Sequence, residues 1–413
     1  MLRTPVNSVV TWRGSFKSYP DFENDEELLQ DVTVSLLDKG TRRLDRFAIA
    51  ELLEDKGAQV HFSSDGLFVD VSGRALKEDV RDVMALVAEQ LRNPLFDQGE
   101  FEKSRSRIAA SIRRAMENTG AQAAGALARS IYGRSHPNYS PDSEEHLTLL
   151  NRLDIEEVRR YHIDHFGSNH FTLVVVGDID EEAIEASVAE NFADWPEHAS
   201  LARFAEGAER RVSQHTVIPI PEKQNVDVRL GHGVPIRRGD EDYIPLYLSN
   251  YILGGNFSAR LMQIIRDEMG LTYGIRSGLY GISADYTGHW QVAVTLSQEN
   301  VARGSEETVR VVRRFIEEGA TEEELSDKKT TIVGSFKVGL ATTGGLASTL
   351  LQNAERGFDV GYLDRFPLEV DSVSLEQTNE VLSRHLHPDE MHVAMSGMVP
   401  VELAGEKEST PTR

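Results

Sequence analysis

The chain contains no cysteine. Disulfides, thiolate metal sites and cysteine nucleophiles are excluded, while the compartment stays open, because a cysteine-free chain folds equally well in reducing and oxidising surroundings. No run of 18 apolar residues occurs, and the first 30 residues hold no apolar signal core. The expectation is a soluble chain without a membrane span or an export signal of its own. Cytoplasm, or periplasm by way of a longer exported precursor, both stay open. Cations are the minority charge, 44 Lys and Arg against 67 Asp and Glu, for a net charge of −23. Broad nucleic-acid or anionic-membrane surfaces need clustered cations, so neither partner is expected. Gly-x-Ser-x-Gly is absent, and neither Gly254-Gly255 nor Gly344-Gly345 leads into Gly-Lys-Ser/Thr. A serine-hydrolase elbow and a phosphate loop are thereby excluded. The 13 histidines are scattered. Of the closest pairs, His162/His165 reads as surface on a helix and His385/His387 as loop.

What is present is an ordinary globular composition, 40% apolar and 27% charged over 413 residues, enough for two or more domains. The chain is organised around Gly254–Ser277. Its paired glycines permit a close backbone approach, and Phe257–Glu268 has apolar residues at helical spacing, with Leu261, Ile264 and Ile265 inward. Gly270 has the position of a left-handed helix stop, and Leu271-Thr272-Tyr273 opens a strand. Arg266 thus ends a helix and Tyr273 starts a strand. On these residues alone, Arg266 complements the helix dipole and Tyr273 is half-buried strand filler.

The same order of segments occurs twice. Glu26–Thr41 parallels Asp242–Phe257, and Ile49–Val60 parallels Met262–Gly274 with Gly57 opposite Gly270. Phe101–Ile112 parallels Leu325–Phe336, and the strand ending at Asp178 parallels the one ending at Met398. Two copies of one unit, strands on one side and helices on the other, predict an α+β protein of two homologous two-layer α/β sandwiches. The expected boundaries are 1–200 for the first domain, 201–216 for a linker and 217–413 for the second domain.

These segments carry a resemblance. RFAIAELLEDKGAQVHFSSDGLFVDVSG, LRNPLFDQGEFEKSR and VVVGDID resemble the first half of a pitrilysin/insulinase-type (M16) zinc peptidase subunit, and GGNFSARLMQIIRDEMGLTYGIRSG resembles the second half. In that family two such subunits, or two fused halves, close around a peptide. Its catalytic signature is His-x-x-Glu-His on a helix plus a Glu further on, the histidines and that Glu binding zinc and the intervening Glu activating water. Anchored on Lys39-Gly40-Thr41, the histidine positions read Asp31 and Ser35, the base position reads Val34, and the distal Glu position reads Ser111. A carboxylate, a hydroxyl and an isopropyl group cannot form that site.

The resemblance does keep an Arg and a Tyr, seven positions apart, in the segment IIRDEMGLTY. In the family such a pair reaches the substrate near the zinc and holds the carbonyl under attack. Arg266 and Tyr273 match it, and their counterparts in the first copy, Leu53 and Val60, do not. The resemblance therefore implies a non-catalytic, Arg/Tyr-bearing subunit or half, inactive alone, with no cofactor of its own. Zinc would sit on a partner subunit or N-terminal half that carries His-x-x-Glu-His, and an unfolded peptide would be the substrate. A homodimer in isolation is left open. The alternative is a non-peptidase structural, assembly or peptide-binding subunit of the same superfamily.

Overall fold

The computed structural model describes residues 1–3, 8–198, 204–208 and 212–404. Among these residues ten strands form two sheets. They are β1 (Leu2–Arg3), β2 (Val9–Lys17), β3 (Gln59–Asp65), β4 (Phe68–Leu76), β5 (Thr172–Gly177), β6 (His215–Pro219), β7 (Asn225–Val234), β8 (Thr272–Tyr280), β9 (Gly288–Ser297) and β10 (His392–Gly397). The first sheet has the order β1-β5-β2-β4-β3 and the second β6-β10-β7-β9-β8. The order is the same under a shift of five strands. In each sheet the outermost pair, β1 with β5 and β6 with β10, is parallel. The duplication extends to backbone geometry. Gly57 and Gly270 both end a helix at positive φ, +55° and +64°. Gly177 and Gly397 close equivalent strands at +149° and +131°, each where a Cβ would strike a carbonyl oxygen at 2.4 Å.

Alternation with period two gives each sheet one apolar face. In the second sheet Val226, Val228 and Leu230 of β7 pair in register with Leu296, Val294 and Val292 of β9, and all six are buried. In the first, Trp12, Phe16, Val69, Val71 and Val175 form the core with Val83 and Leu91 of the helix Val80–Arg92. A second cluster, including Leu28, Val32, Phe101 and Val158, packs further helices together.

Two compact units divide the chain, and neither is continuous. One comprises Met1–Ile112, Glu144–Phe204 and Phe336–Tyr362, and the other Arg113–Ser143, Ala205–Ser335 and Leu363–Arg413. The continuous halves read from the sequence, 1–200 and 217–413, differ from this by the exchange of two segments. The helix Thr119–Ile131 lies on β7 and β10. The helix Thr343–Glu355 lies on β2 and β5, where the Thr11 and Thr343 hydroxyls are 3.0 Å apart. Each follows a long helix, Gln98–Met116 or Glu322–Gly339. Eighteen or so residues at 1.5 Å rise carry the chain roughly 27 Å away from where it started. The expected linker, 201–216, falls partly outside the described residues, and its end belongs to β6.

Candidate functional site

The helix of the organising stretch forms later than its apolar spacing predicts and has a different pitch. Residues 254–259 are turns and bends, and Met262–Glu268 is a π-helix. Leu261 and Ile265 are fully buried, as predicted, and Ile264 is half-buried. The wider turn shifts the closing hydrogen bonds. Met269 N–H donates to Ile264 C=O (3.0 Å), and Leu271 N–H reaches back six positions to Ile265 C=O (3.0 Å), one position more than in an α-helical Schellman close. Gly254 fits only because it lacks a side chain, since a Cβ there would sit 2.6 Å from Ser277 N. Its carbonyl accepts from that same N–H at 3.0 Å.

A buried asparagine on the helix Tyr243–Leu253 fixes β8 in place. Asn250 Oδ1 accepts from Ser277 Oγ (2.7 Å) and Trp290 Nε1 (3.1 Å), and its Nδ2 donates to Ser277 C=O (3.3 Å). At the open end of β8 the ladder slips between Thr272, paired with Leu296, and Gly274, paired with Thr295. Tyr273 is the unpaired residue of this bulge and is 97% exposed. Bulges re-aim side chains, and here the bulge turns a phenol fully outward. The reading of Tyr273 as half-buried filler is thereby corrected. Arg266 is only partly exposed, its Nη1 3.0 Å from Asp267 Oδ1 and its guanidinium 4.9 Å from the Phe257 ring centroid. Carboxylate and ring together restrict its orientation. Arg266 and Tyr273 line one cavity of about 660 Å3, with Leu271, Thr272, Thr295 and Asn300 among its walls. In the first copy Leu53 and Val60 pack against the core, and β3 pairs with β4 without a bulge. The spacing of seven signalled the pair. Nothing in it signalled the bulge or the π turn.

The degenerate positions lie in the other unit, on and after the helix Glu26–Val34. This helix is shorter than the 25–38 its periodicity predicts, because Ser35–Asp38 are turns. Val34 is buried in the core. The Ser35 hydroxyl donates to Val32 C=O (2.7 Å) and lies 2.6 Å from Ser104 Oγ. Asp31 accepts a hydrogen bond from Ser64. Ser111 is exposed on the helix Gln98–Met116, two turns beyond the serine that contacts Ser35. These residues do not fit a zinc site: one is hydrocarbon, and the Ser35 hydroxyl is already engaged on both sides. Asp31 reaches the surface, yet loss of solvent around its carboxyl outweighs Ser64 and His146 and holds it above the ordinary carboxylate range. One turn earlier, burial and then the neighbours Asp31, Asp65 and Asp25 push Glu27 up to about 8. No motif marked Glu27. Its one signal is the i, i+4 spacing to Asp31.

The histidine pairs also differ from their sequence reading. His162 and His165 are half-buried on the helix Ile155–His165, bonded to Leu91 C=O (2.7 Å) and Ser18 C=O (2.6 Å). His385 ends the helix Leu375–His385 and lies 2.7 Å from Asp242 Oδ2, while His387 follows it outside the helix. Such bonds orient packing residues. Among the described residues no three His, Cys, Asp or Glu side chains are placed to hold a metal ion. No helix among them is long and apolar enough to cross a membrane.

Residues 152–332 match the family model described as Peptidase M16 inactive domain. A crystal structure of a peptidase M16 inactive domain from Pseudomonas fluorescens superposes with a TM-score of 0.87 at 23% identity, covering 97% of this chain and 95% of that one. The fold is that of the M16 inactive-domain structure, and the family model covers the middle of the chain. The chain is similar over 89% of its length, at 22% identity, to the Helicobacter pylori protein named "Non-peptidase homolog YmxG", of which 84% is covered. It is similar over 88%, at 24% identity, to a Bacillus subtilis protein named "Uncharacterized zinc protease YmxG", of which 87% is covered. The matched span, 152–332, holds Arg266 and Tyr273, whereas Asp31, Val34, Ser35 and Ser111 lie outside it.

Proposed function

We propose that this chain is the non-catalytic subunit, or half, of a two-part M16 zinc peptidase, and that it contributes substrate grip and transition-state hydrogen bonds through Arg266 and Tyr273. The observation that carries this reading is the bulge at Tyr273. A phenol that packed for stability would be covered, and this one is 97% exposed beside a restrained guanidinium. The pair supplies a phenolic O–H and a fork of guanidinium N–H donors, suited to a peptide carbonyl as it gains negative charge. Val34 takes no proton, so water activation falls to a partner carrying His-x-x-Glu-His and zinc, and the substrate is an unfolded peptide. This chain binds no cofactor itself.

The test mixes the purified chain with such a partner and follows cleavage of a quenched-fluorescent peptide. Turnover is expected from the mixture and from neither protein alone, with no stoichiometric zinc on this chain by metal analysis. Tyr273→Phe removes only a hydroxyl, and loss of one such donor typically lowers turnover about a hundred- to a thousand-fold. Because Tyr273 is exposed, the melting temperature of the variant should not move. Unchanged turnover in Tyr273→Phe and Arg266→Ala would refute the assignment. The competing reading, a structural or assembly subunit without peptidase role, agrees with the name of the Helicobacter relative. It predicts a stable heteromer whose turnover ignores both substitutions.

A further inference from the structure

The polar face of the second sheet carries an uncommon row. Arg229 of β7 and Arg276 of β8 are both paired with Ala293 of the strand between them. Residues directly opposite across antiparallel strands share a face, so the two arginines stand on one side of the sheet with a methyl group between them. The small alanine leaves a groove, and a cavity of about 310 Å3 opens there, lined by both arginines, Ala293, Gly274, Thr295 and Met262. Among the described residues, that lining holds two guanidinium groups and no carboxylate.

The two cations differ in their surroundings. Arg229 is 8% exposed. It is 3.4 Å from Asp227 Oδ1 and donates to the carbonyls of Val228 (3.2 Å) and Gly120 (3.5 Å). Asp227 is shared, since it also accepts from the hydroxyls of Thr119 (2.6 Å) and Thr295 (2.7 Å). Burial lowers the proton affinity of Arg229, the Asp227 carboxylate opposes it, and the charge of Arg276 lowers it further, although Arg229 stays cationic at any physiological pH. Arg276 is exposed, and among the described residues it makes no hydrogen bond or ion pair. A positive surplus therefore stands in this recess of a chain whose net charge is −23. Like charges held together without an anion between them raise the energy of the empty site, and a bound anion relieves it. The helix Thr119–Ile131 adds to the field, because its first turn, at Thr119 and Gly120, touches Asp227 and Arg229.

The first copy lacks this surplus. There the equivalent row is Arg13, Ser72 and His61, and the carboxylate of Asp70 stands near Arg13. The row in the second copy adjoins the Arg/Tyr cavity: Thr295 lines both cavities, and Gly274 follows Tyr273 directly.

We propose that the Arg229–Ala293–Arg276 row is a carboxylate subsite, which takes an acidic side chain or the C-terminal carboxylate of the peptide held at Arg266 and Tyr273. This rests on the peptide-gripping role proposed above. Planar guanidinium groups bind carboxylates through paired N–H···O bonds, and the groove between two of them admits one carboxylate and excludes a cationic side chain.

Three sets of fluorescent peptides separate the possibilities when titrated into the full-length chain by anisotropy. One is amidated and carries a single Glu, moved through the sequence. The second is amidated with Gln in its place, and the third has Gln and a free C-terminus. A Glu peptide or the free-acid peptide is expected to bind about ten-fold tighter than the amidated Gln peptide, as one charge-assisted hydrogen bond would give. Which of the two gains affinity tells a side-chain from a terminal carboxylate. Arg276→Gln should abolish that preference while leaving the affinity for the amidated Gln peptide and the melting temperature unchanged, since the residue is exposed and unpaired. Equal binding of all three sets, or a preference that persists in Arg276→Gln, overturns the subsite and leaves the role of Arg266 and Tyr273 standing. No binding by any peptide overturns that role, and the subsite with it.

Discussion

At Val34, where the resemblance would place a catalytic base, the surroundings are hydrocarbon as well as the side chain. The residue is 4% exposed and belongs to the core that holds Trp12, Phe16 and Leu37. Placing a carboxylate there means burying it among hydrocarbon. Val34→Glu is therefore expected to cost on the order of 3 kcal/mol or more of stability, measured by urea unfolding. Asp31→His, at a position that reaches the surface, should cost within about 1 kcal/mol. Equal and small losses at both positions would mean that the core around residue 34 accommodates a carboxylate. The Arg/Tyr pair shows the opposite case, since Tyr273 projects from its strand and Arg266 is oriented by Asp267 and Phe257. Selection on packing alone would not hold a tyrosine in the open.

Between the helix and the strand, Gly270 sets how Arg266 and Tyr273 are presented. Its φ is +64°, and nothing lies within 4 Å of a Cβ built on it. A side chain there would meet no clash, so the cost of substitution is conformational. Gly270→Ala should lose about 1–2 kcal/mol, and Gly270→Asn less, because Asn tolerates the left-handed region. Gly57→Ala, at +55° with equally open space, should lose a similar amount in the first copy. Only the change at Gly270 should also lower peptide turnover with a zinc-bearing partner. Urea midpoints and turnover on the same samples check both statements. The two glycines show how much of the fold was legible in the sequence. A φ that only glycine adopts readily leaves a mark in the sequence, as does period-two burial in β7 and β9. The spacing of seven from Arg266 to Tyr273 likewise marked two residues that line one cavity. The π turn left no such mark, because apolar residues at 261, 264 and 265 suit an α-helix and a π-helix about equally. The bulge was hidden for a related reason, since Thr-Tyr-Gly reads as plain strand and only the partner strand reveals the slip. The exchanged helices, Thr119–Ile131 and Thr343–Glu355, could not be read from local pattern at all, because which sheet a helix covers is a long-range property. The Arg229–Ala293–Arg276 row is hidden in the same way, its members 47 or more residues from Arg229 in the chain and adjacent only through register.

Over the whole molecule, the two compact units should respond to pH in opposite directions. In the unit containing β2–β5, burial raises four carboxyls: Glu27 up to about 8, Asp70 up to about 7, and Asp31 and Glu355 above their usual range. A carboxyl whose folded pKa lies above its unfolded value binds more protons folded than unfolded. It therefore costs stability progressively as pH rises from its unfolded value near 4 through its folded value. In the unit containing β6–β10, burial lowers three histidines: His136 and His289 to about 4, and His232 below its usual range. A histidine with a depressed folded pKa stays neutral in the fold, while the unfolded chain takes up a proton below about 6.5. Its effect is absent above 6.5 and grows as pH falls toward 4. His162, lowered to about 4, and His146, also lowered, add a share of the same acid sensitivity to the first unit, but only below 6.5. Between pH 6.5 and 8 the first unit should lose stability while the second holds. Between 6.5 and 4.5 the second should lose it steadily, and in the first the carboxyls and histidines oppose one another. Hydrogen exchange read by mass spectrometry assigns protection to peptides of each unit, once corrected for the intrinsic pH dependence of exchange. The expected result is falling protection in β2, β4 and β5 on the alkaline side and in β7, β9 and β10 on the acid side. Parallel changes in both units across the whole range would mean that they unfold as one body, or that these buried groups ionise without cost.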